Sequence, residues 1–95
     1  NNKTQNETFT KSTLDIYPIK SKWAAFNWNV VEINGHSYKQ LNRAFNKFLK
    51  SKKPLIIIAN TIKGKGISFM ENDPSWHSKK IEEKDYIKAL KETEV

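Results

Sequence analysis

Leu41, Ala44, Phe45, Phe48 and Leu49 stand at i, i+3, i+4, i+7 and i+8, which places all five on one stripe of a helix. Ser37 ahead of them, with Gln40 three residues on, reads as a capping box. Lys47, Lys50, Lys52 and Lys53 gather toward the far end, where cations suit the helix dipole, and Pro54 stops the helix. On either side the pattern changes. Asn29 to Ile33, NVVEI, is a short β-rich run that ends at an Asn34-Gly35 turn signal. Leu55 to Ala59, LIIIA, is continuously apolar, as a strand buried on both faces should be. Strand, helix, strand in that order predicts a right-handed parallel crossover.

Two more helices flank this centre. Ile19, Trp23 and Phe26 share a face over roughly 18–26, with Pro18 suited to the first turn. Tyr86, Ile87 and Leu90 mark the buried side of a last helix over about 83–93. Residues 1–13, NNKTQNETFTKST, are polar and read as a loop. The fold class is therefore α/β, a parallel sheet with flanking helices. Two strands cannot pair both edges of LIIIA, and so small a sheet is marginal alone. The expectation is part of a larger α/β domain, or a subunit that needs a partner.

Composition narrows the partners. Ninety-five residues make one small domain, with 37% hydrophobic and 28% charged residues. Trp23, Phe26, Trp28, Phe45, Phe48 and Trp76 are the large bodies available for a core. A net charge of +7 favours an anionic partner, whether nucleic acid, membrane surface or small phosphate ligand. The absence of cysteine excludes disulfides and thiolate chemistry and, with no signal peptide and no apolar run long enough to span a bilayer, points to the cytoplasm.

The stretch TIKGKGISFMENDPSWHSKK, residues 61–80, starts at the carboxyl end of the LIIIA strand, where ligands bind open parallel sheets. Gly64 and Gly66 allow a close backbone approach with exposed N–H groups, and Lys63 and Lys65 add charge suited to a diphosphate. The glycine spacing matches neither a Walker loop nor a dinucleotide fingerprint. A solvated basic turn is the plain alternative. His77 can donate to a phosphate oxygen or move a proton near neutral pH, with Trp76 as an apolar wall. Taken alone it reads more readily as an exposed loop histidine, and His36, at a helix entrance, more readily still.

KWAAFNWNVVEINGHSYKQL followed by KPLIIIANTIKGKGISFMENDPSWHSKK resembles the thiamine-diphosphate-binding region of transketolase, in the short form where the enzyme is split into two chains. The resemblance covers nearly the whole chain. It implies a Rossmann-like pyrophosphate-binding fold and transfer of a two-carbon ketol unit between sugar phosphates in the pentose phosphate pathway. Residues 1–95 are then the later part of that domain: 1–17 a cofactor and metal loop, 18–60 helix-strand-helix-strand, 61–82 a cofactor-site loop and 83–95 the C-terminal helix.

Carried over residue by residue, the resemblance makes Asn2, in Asn2-Lys3, a Mg²⁺ ligand through its side-chain oxygen, with Ca²⁺ or Mn²⁺ able to substitute. Thr4 offers its backbone carbonyl to the same ion. His77 contacts the diphosphate and assists proton transfer on the substrate. Lys79 acts in the same neighbourhood, Lys63 lies near the cofactor, and Ile62 and Gly64 shape that wall. The implied partners are sugar-phosphate substrates and a pyrimidine-binding domain or C-terminal transketolase subunit, in a complete enzyme that dimerises. Neither a nucleic acid nor a membrane is implied.

The family's Gly-Asp-Gly does not occur, so the chain is expected to be the end of a longer one and inactive alone. The usual Asp-Gly-His-Asp reads Asn34-Gly35-His36-Ser37, in which Ser still caps a helix. Phe-Gly-Trp reads Phe26-Asn27-Trp28, and Asn tolerates the same left-handed turn. Ala-Pro-Thr reads Lys80-Ile81-Glu82, which loses a helix cap. Three alternatives remain: another thiamine-diphosphate enzyme, such as a 1-deoxyxylulose-5-phosphate synthase-like protein, a small basic nucleic-acid-binding module, and a subunit that assembles without catalysing.

Overall fold

The computed structural model describes residues 1–94. In chain order it forms β1 (Thr4–Gln5), β2 (Thr8–Phe9), α1 (Thr10–Thr13), α2 (Ile19–Ala25), β3 (Asn29–Asn34), α3 (Tyr38–Leu49), β4 (Leu55–Asn60), a 3-10 turn (Pro74–His77) and α4 (Glu83–Thr93). The chain divides into two compact units, one of Asn1 with Asp15–Thr61 and one of Asn2–Leu14 with Ile62–Val95. Val95, with which the expected last helix ends, lies outside the described residues.

The first unit is built on β3 and β4, which pair in parallel register from Asn29 opposite Leu55 to Asn34 opposite Asn60. The crossover helix α3 packs on β3, as does α2. Ser37 caps α3 by accepting from the Gln40 N–H at 3.3 Å. The reciprocal half of the expected capping box goes elsewhere: the Gln40 side chain accepts from the Asn34 N–H at 2.8 Å. The helix start is thereby tied to the end of β3 rather than to its own cap. Gly35 at that turn has no room for a side chain, because a Cβ would stand 2.6 Å from Thr61 Cγ2. Asn1 lies along the last residues of β4, its backbone nitrogen donating to Ala59 O at 2.8 Å and its carbonyl accepting from Thr61 N at 3.0 Å.

The core of this unit is small. Ile33 from β3, Ala44 from α3 and Ile58 from β4 are its buried apolar residues. The expectation that LIIIA is buried on both faces is corrected, since only Ile58 reaches full burial and its neighbours are half-buried. A two-stranded sheet offers too little surface to cover them. For the same reason the stripe on α3 is only partly used: Ala44 is buried and Leu41 half-buried, while Phe45, Phe48 and Leu49 stay exposed. Phe26 is 76% exposed and so is not a core residue. Trp23 and Trp28 meet each other instead, with ring centroids 4.9 Å apart.

In the second unit the N-terminal segment expected to be a loop is ordered. β1 and β2 pair antiparallel around an Asn6-Glu7 turn, with Asn6 at φ 53, and a helical turn follows. The polarity of these residues hid a hairpin because its strands are two residues long and one face is wet. The expected buried side of α4 is also corrected, as Tyr86, Ile87 and Leu90 remain about half exposed. α4 starts at Glu82 with no side-chain cap, as the loss of the usual Thr there predicts. Among the described residues no helix is long and apolar enough to cross a membrane.

Candidate functional site

Asn2, Thr4, Ile62, Lys63, Gly64, His77 and Lys79 all fall in the second unit. The hairpin sets the first pair. Thr10 N–H donates to Lys3 C=O at 2.9 Å, so Lys3 and Thr10 form a hydrogen-bonded pair. The alternation of an antiparallel ladder then turns the backbone groups of Thr4 to the opposite, outer edge. Asn2 Oδ1 lies at that edge, where it accepts from both the Thr4 N–H and the Thr4 hydroxyl at 3.0 Å. An amide oxygen and a backbone carbonyl thus share one edge of the hairpin, and Lys3 at φ 63 makes the bend that brings them there. Hard oxygen donors of this kind suit Mg²⁺.

The loop after β4 closes on itself. Lys65 N–H donates to Ile62 C=O at 3.2 Å, and Ile67 N–H to Gly64 C=O at 3.1 Å. Gly66 N–H donates to Glu71 Oε1 at 3.1 Å, and Lys65 Nζ lies 3.2 Å from the same oxygen. The expectation that the loop holds its glycine N–H groups out to a diphosphate is corrected at Gly66, whose N–H the Glu71 carboxylate takes. Gly64 serves the loop instead. Its φ is 73, and a Cβ would stand 2.5 Å from the Met70 carbonyl oxygen. Lys63 is half-buried at the neck, its carbonyl accepting from Asn72 N–H at 3.0 Å. Ile62 beside it is half-buried as well.

His77 ends the 3-10 turn and is exposed. Asp73 caps the turn, accepting from Ser75 N–H at 2.9 Å, with Pro74 in the first helical position. The Ser75 bonds hold the Asp73 carboxyl below its ordinary value, with Lys79 and Lys63 adding to the effect. Trp76 anchors the turn: its Nε1–H donates to Phe69 C=O at 3.0 Å and its ring meets Phe69 edge-on at 5.3 Å. Lys79 Nζ sits 4.3 Å from the Trp76 centroid. The turn packs against β2, and Ser78 Oγ donates to the Glu7 carboxylate. The hairpin that carries Asn2 and Thr4 is therefore joined to the turn that carries His77.

Several of these partners escaped the sequence. Asp73-Pro74 does carry a signal, a cap followed by a first-turn proline, which the reading of the sequence left unused. Glu7, Ser78, Glu71 and Phe69 had no signal, because their roles come from partners brought close by folding. His36 belongs to the first unit, where its N–H donates to Asn34 Oδ1 at 2.9 Å. Among the described residues no three of His, Cys, Asp and Glu cluster as a metal site. The unit carries cationic donors and a histidine on the loop and the turn after it, and amide and carbonyl oxygens on the outer edge of the hairpin. That set can hold a phosphate-bearing anion and offer two ligands to a hard cation.

Residues 2–94 match the family model described as transketolase, thiamine diphosphate binding domain. The chain is 36% identical over 94 residues to a 6-deoxy-6-sulfo-D-fructose transketolase subunit of a Clostridium species, covering 98% of this chain and 34% of that one. It is 33% identical over 92 residues to an apulose-4-phosphate transketolase subunit of Phocaeicola vulgatus, covering 96% of this chain and 33% of that one. The chain thus spans about a third of the length of these curated relatives. The crystal structure of transketolase from Campylobacter jejuni superposes with a TM-score of 0.81 at 30% identity, over 95% of this chain and 14% of that one.

Proposed function

The chain belongs to the transketolase family, in its thiamine diphosphate binding domain, and on that footing we propose that its second unit forms one wall of a thiamine diphosphate and Mg²⁺ site for ketol transfer between sugar phosphates. Asn2 Oδ1 and the Thr4 carbonyl would hold the cation, and Lys63 and His77 the diphosphate. Bound there, the cofactor supplies the carbanion stabilisation that no side chain of the chain can. Lys79 supplies positive charge next to the histidine, and His77 moves a proton on the substrate side. Ile62 and Gly64 shape the wall, Gly64 by keeping the loop tight.

The observation that carries this reading is the joining of the two halves of the site within one unit, with β2 packed on the His77 turn and Glu7 bound to Ser78. Residues 1–95 are then the later part of the pyrophosphate-binding domain. The partner is a pyrimidine-binding domain or a C-terminal transketolase subunit, the complete enzyme is a cytoplasmic homo-oligomer, and residues 1–95 alone do not catalyse. The exposed α3 stripe and the thinly covered two-stranded sheet agree with a chain that packs against more protein.

The test is calorimetric titration of thiamine diphosphate with Mg²⁺ into the full-length protein and its partner chain, followed by ketol-transfer kinetics. Asn2→Ala is expected to weaken Mg²⁺ binding by about tenfold or more. His77→Ala is expected to lower kcat by about 10²–10⁴-fold. A wild-type protein that binds no thiamine diphosphate, or variants that behave as wild type, would overturn the reading.

A further inference from the structure

The loop from Lys63 to Asn72 carries two lysines, and the structure treats them differently. Lys65 is paired: its Nζ lies 3.2 Å from Glu71 Oε1. The same oxygen accepts from Gly66 N–H at 3.1 Å. One carboxylate oxygen thus binds a side chain and a main-chain group on the far side of the loop. The next residue, Asn72, donates its N–H to the Lys63 carbonyl at 3.0 Å and closes the neck. Inside the ring, Met70 N–H donates to Ile67 C=O at 2.9 Å and Glu71 N–H to the same carbonyl at 3.1 Å. Gly64 presses on Met70, where no other residue fits. The result is a compact loop whose ends meet at Lys63 and whose far side is held by Glu71.

We propose that Glu71 is a positioning residue for the diphosphate: by closing the 63–72 loop through Gly66 and Lys65, it fixes where Lys63 presents its ammonium, without itself touching the ligand. The inference rests on the reading of Lys63 as a diphosphate contact. The physical reason is entropic and electrostatic together. A glycine-flanked lysine pair left open would sample many loop conformations, and ordering them would be charged against binding. The carboxylate removes that cost before the ligand arrives. It also pairs the Lys65 ammonium within the loop, at 3.2 Å. The rival role for the same carboxylate is a plug, an internal anion that the diphosphate must displace. The two roles predict opposite signs.

The experiment uses the full-length protein with its partner chain and two probes, thiamine diphosphate and inorganic pyrophosphate, both with Mg²⁺. Affinities are measured by calorimetry for wild type, Glu71→Ala, Glu71→Gln, Lys63→Ala and the Lys63→Ala/Glu71→Ala double variant. Glu71→Ala is expected to weaken both probes about tenfold, and Glu71→Gln, which keeps an acceptor for Gly66 N–H, about threefold. In the double variant the Glu71 change is expected to add nothing to Lys63→Ala, because it acts through that lysine. A role in general stability alone would add in full. Glu71→Gln keeps shape and volume, so its result stands should Glu71→Ala fail to fold. Unchanged or tighter binding in the Glu71 variants, or full additivity, overturns the inference while leaving the cofactor site intact. If Lys63→Ala is itself silent, the reading beneath it falls and the inference falls with it.

Discussion

Lys79 holds its ammonium 4.3 Å from the centre of the Trp76 ring, on the side chain that precedes His77 in the 3-10 turn. An exposed cation–π contact is worth about 0.5–1 kcal/mol, enough to bias the side chain and too little to lock it. Lys79 can therefore leave the ring for an anionic group. Lys79→Ala is expected to lower kcat/KM for a sugar phosphate about tenfold by loss of a charge-assisted bond. Lys79→Arg should retain most of it, since guanidinium also stacks on indole. Steady-state kinetics of the complete enzyme check both.

Asn2 Oδ1 already accepts two bonds from Thr4, and a carbonyl oxygen has two lone pairs. A cation on that oxygen competes with the rotatable Thr4 hydroxyl. Thr4→Val removes the competitor and keeps the backbone carbonyl. The expected outcome is Mg²⁺ affinity equal to or above wild type, in contrast to the loss in Asn2→Ala. A titration of Mg²⁺ at fixed thiamine diphosphate reads the difference, and a large loss in Thr4→Val would show the hydroxyl to be needed.

Gly64 and Gly66 both have positive φ, at 73 and 101, but only Gly64 is crowded. Gly66→Ala meets strain from backbone conformation alone, about 1–3 kcal/mol. Gly64→Ala adds a contact with the Met70 carbonyl that the loop cannot relieve without opening. Denaturant unfolding of the full-length protein should show the larger loss at Gly64, accompanied by weaker pyrophosphate binding.

Glu92 accepts from Ser68 N–H and from Ser68 Oγ, the latter at 2.7 Å, and these bonds hold its carboxyl below the ordinary value. Asp73 is lowered by its bonds to Ser75. Carboxyls depressed in the folded state bind fewer protons there than when unfolded. Their stabilisation is present above the ordinary values, roughly 4, and is lost as pH falls through the lower folded values. The Tm is therefore expected to drop on acidification below about pH 4. Glu92→Gln and Asp73→Asn should each flatten that drop, as followed by circular dichroism.

Much of the fold was legible because the relevant signals are local. The β3-α3-β4 crossover follows from period and length, Ser37 from its place before a helical stripe, and the uncapped start of α4 from Glu82. Asn27 takes φ 67 where the family's glycine stands, as the tolerance of Asn for that region implies. The hairpin at residues 4–9 was not legible, since two-residue strands carry no period. Burial was overestimated for Phe26, Phe45, Phe48 and the α4 face, because periodicity marks which side of a helix is apolar but not whether anything covers it.

By itself the sequence determined the family and the α2-β3-α3-β4 order with a last helix, and it singled out Asn2, Lys63, His77 and Lys79 as the residues proposed to bear chemistry. Only the tertiary structure decided what those residues touch. It turned the loop's N–H groups inward onto Glu71 and the loop carbonyls, set Lys79 on Trp76, and tied Glu7 to Ser78 across 71 positions of chain. Hydrogen bonds and ring contacts depend on distance in space, and nothing in the local pattern of a chain encodes which distant polar group will satisfy which donor.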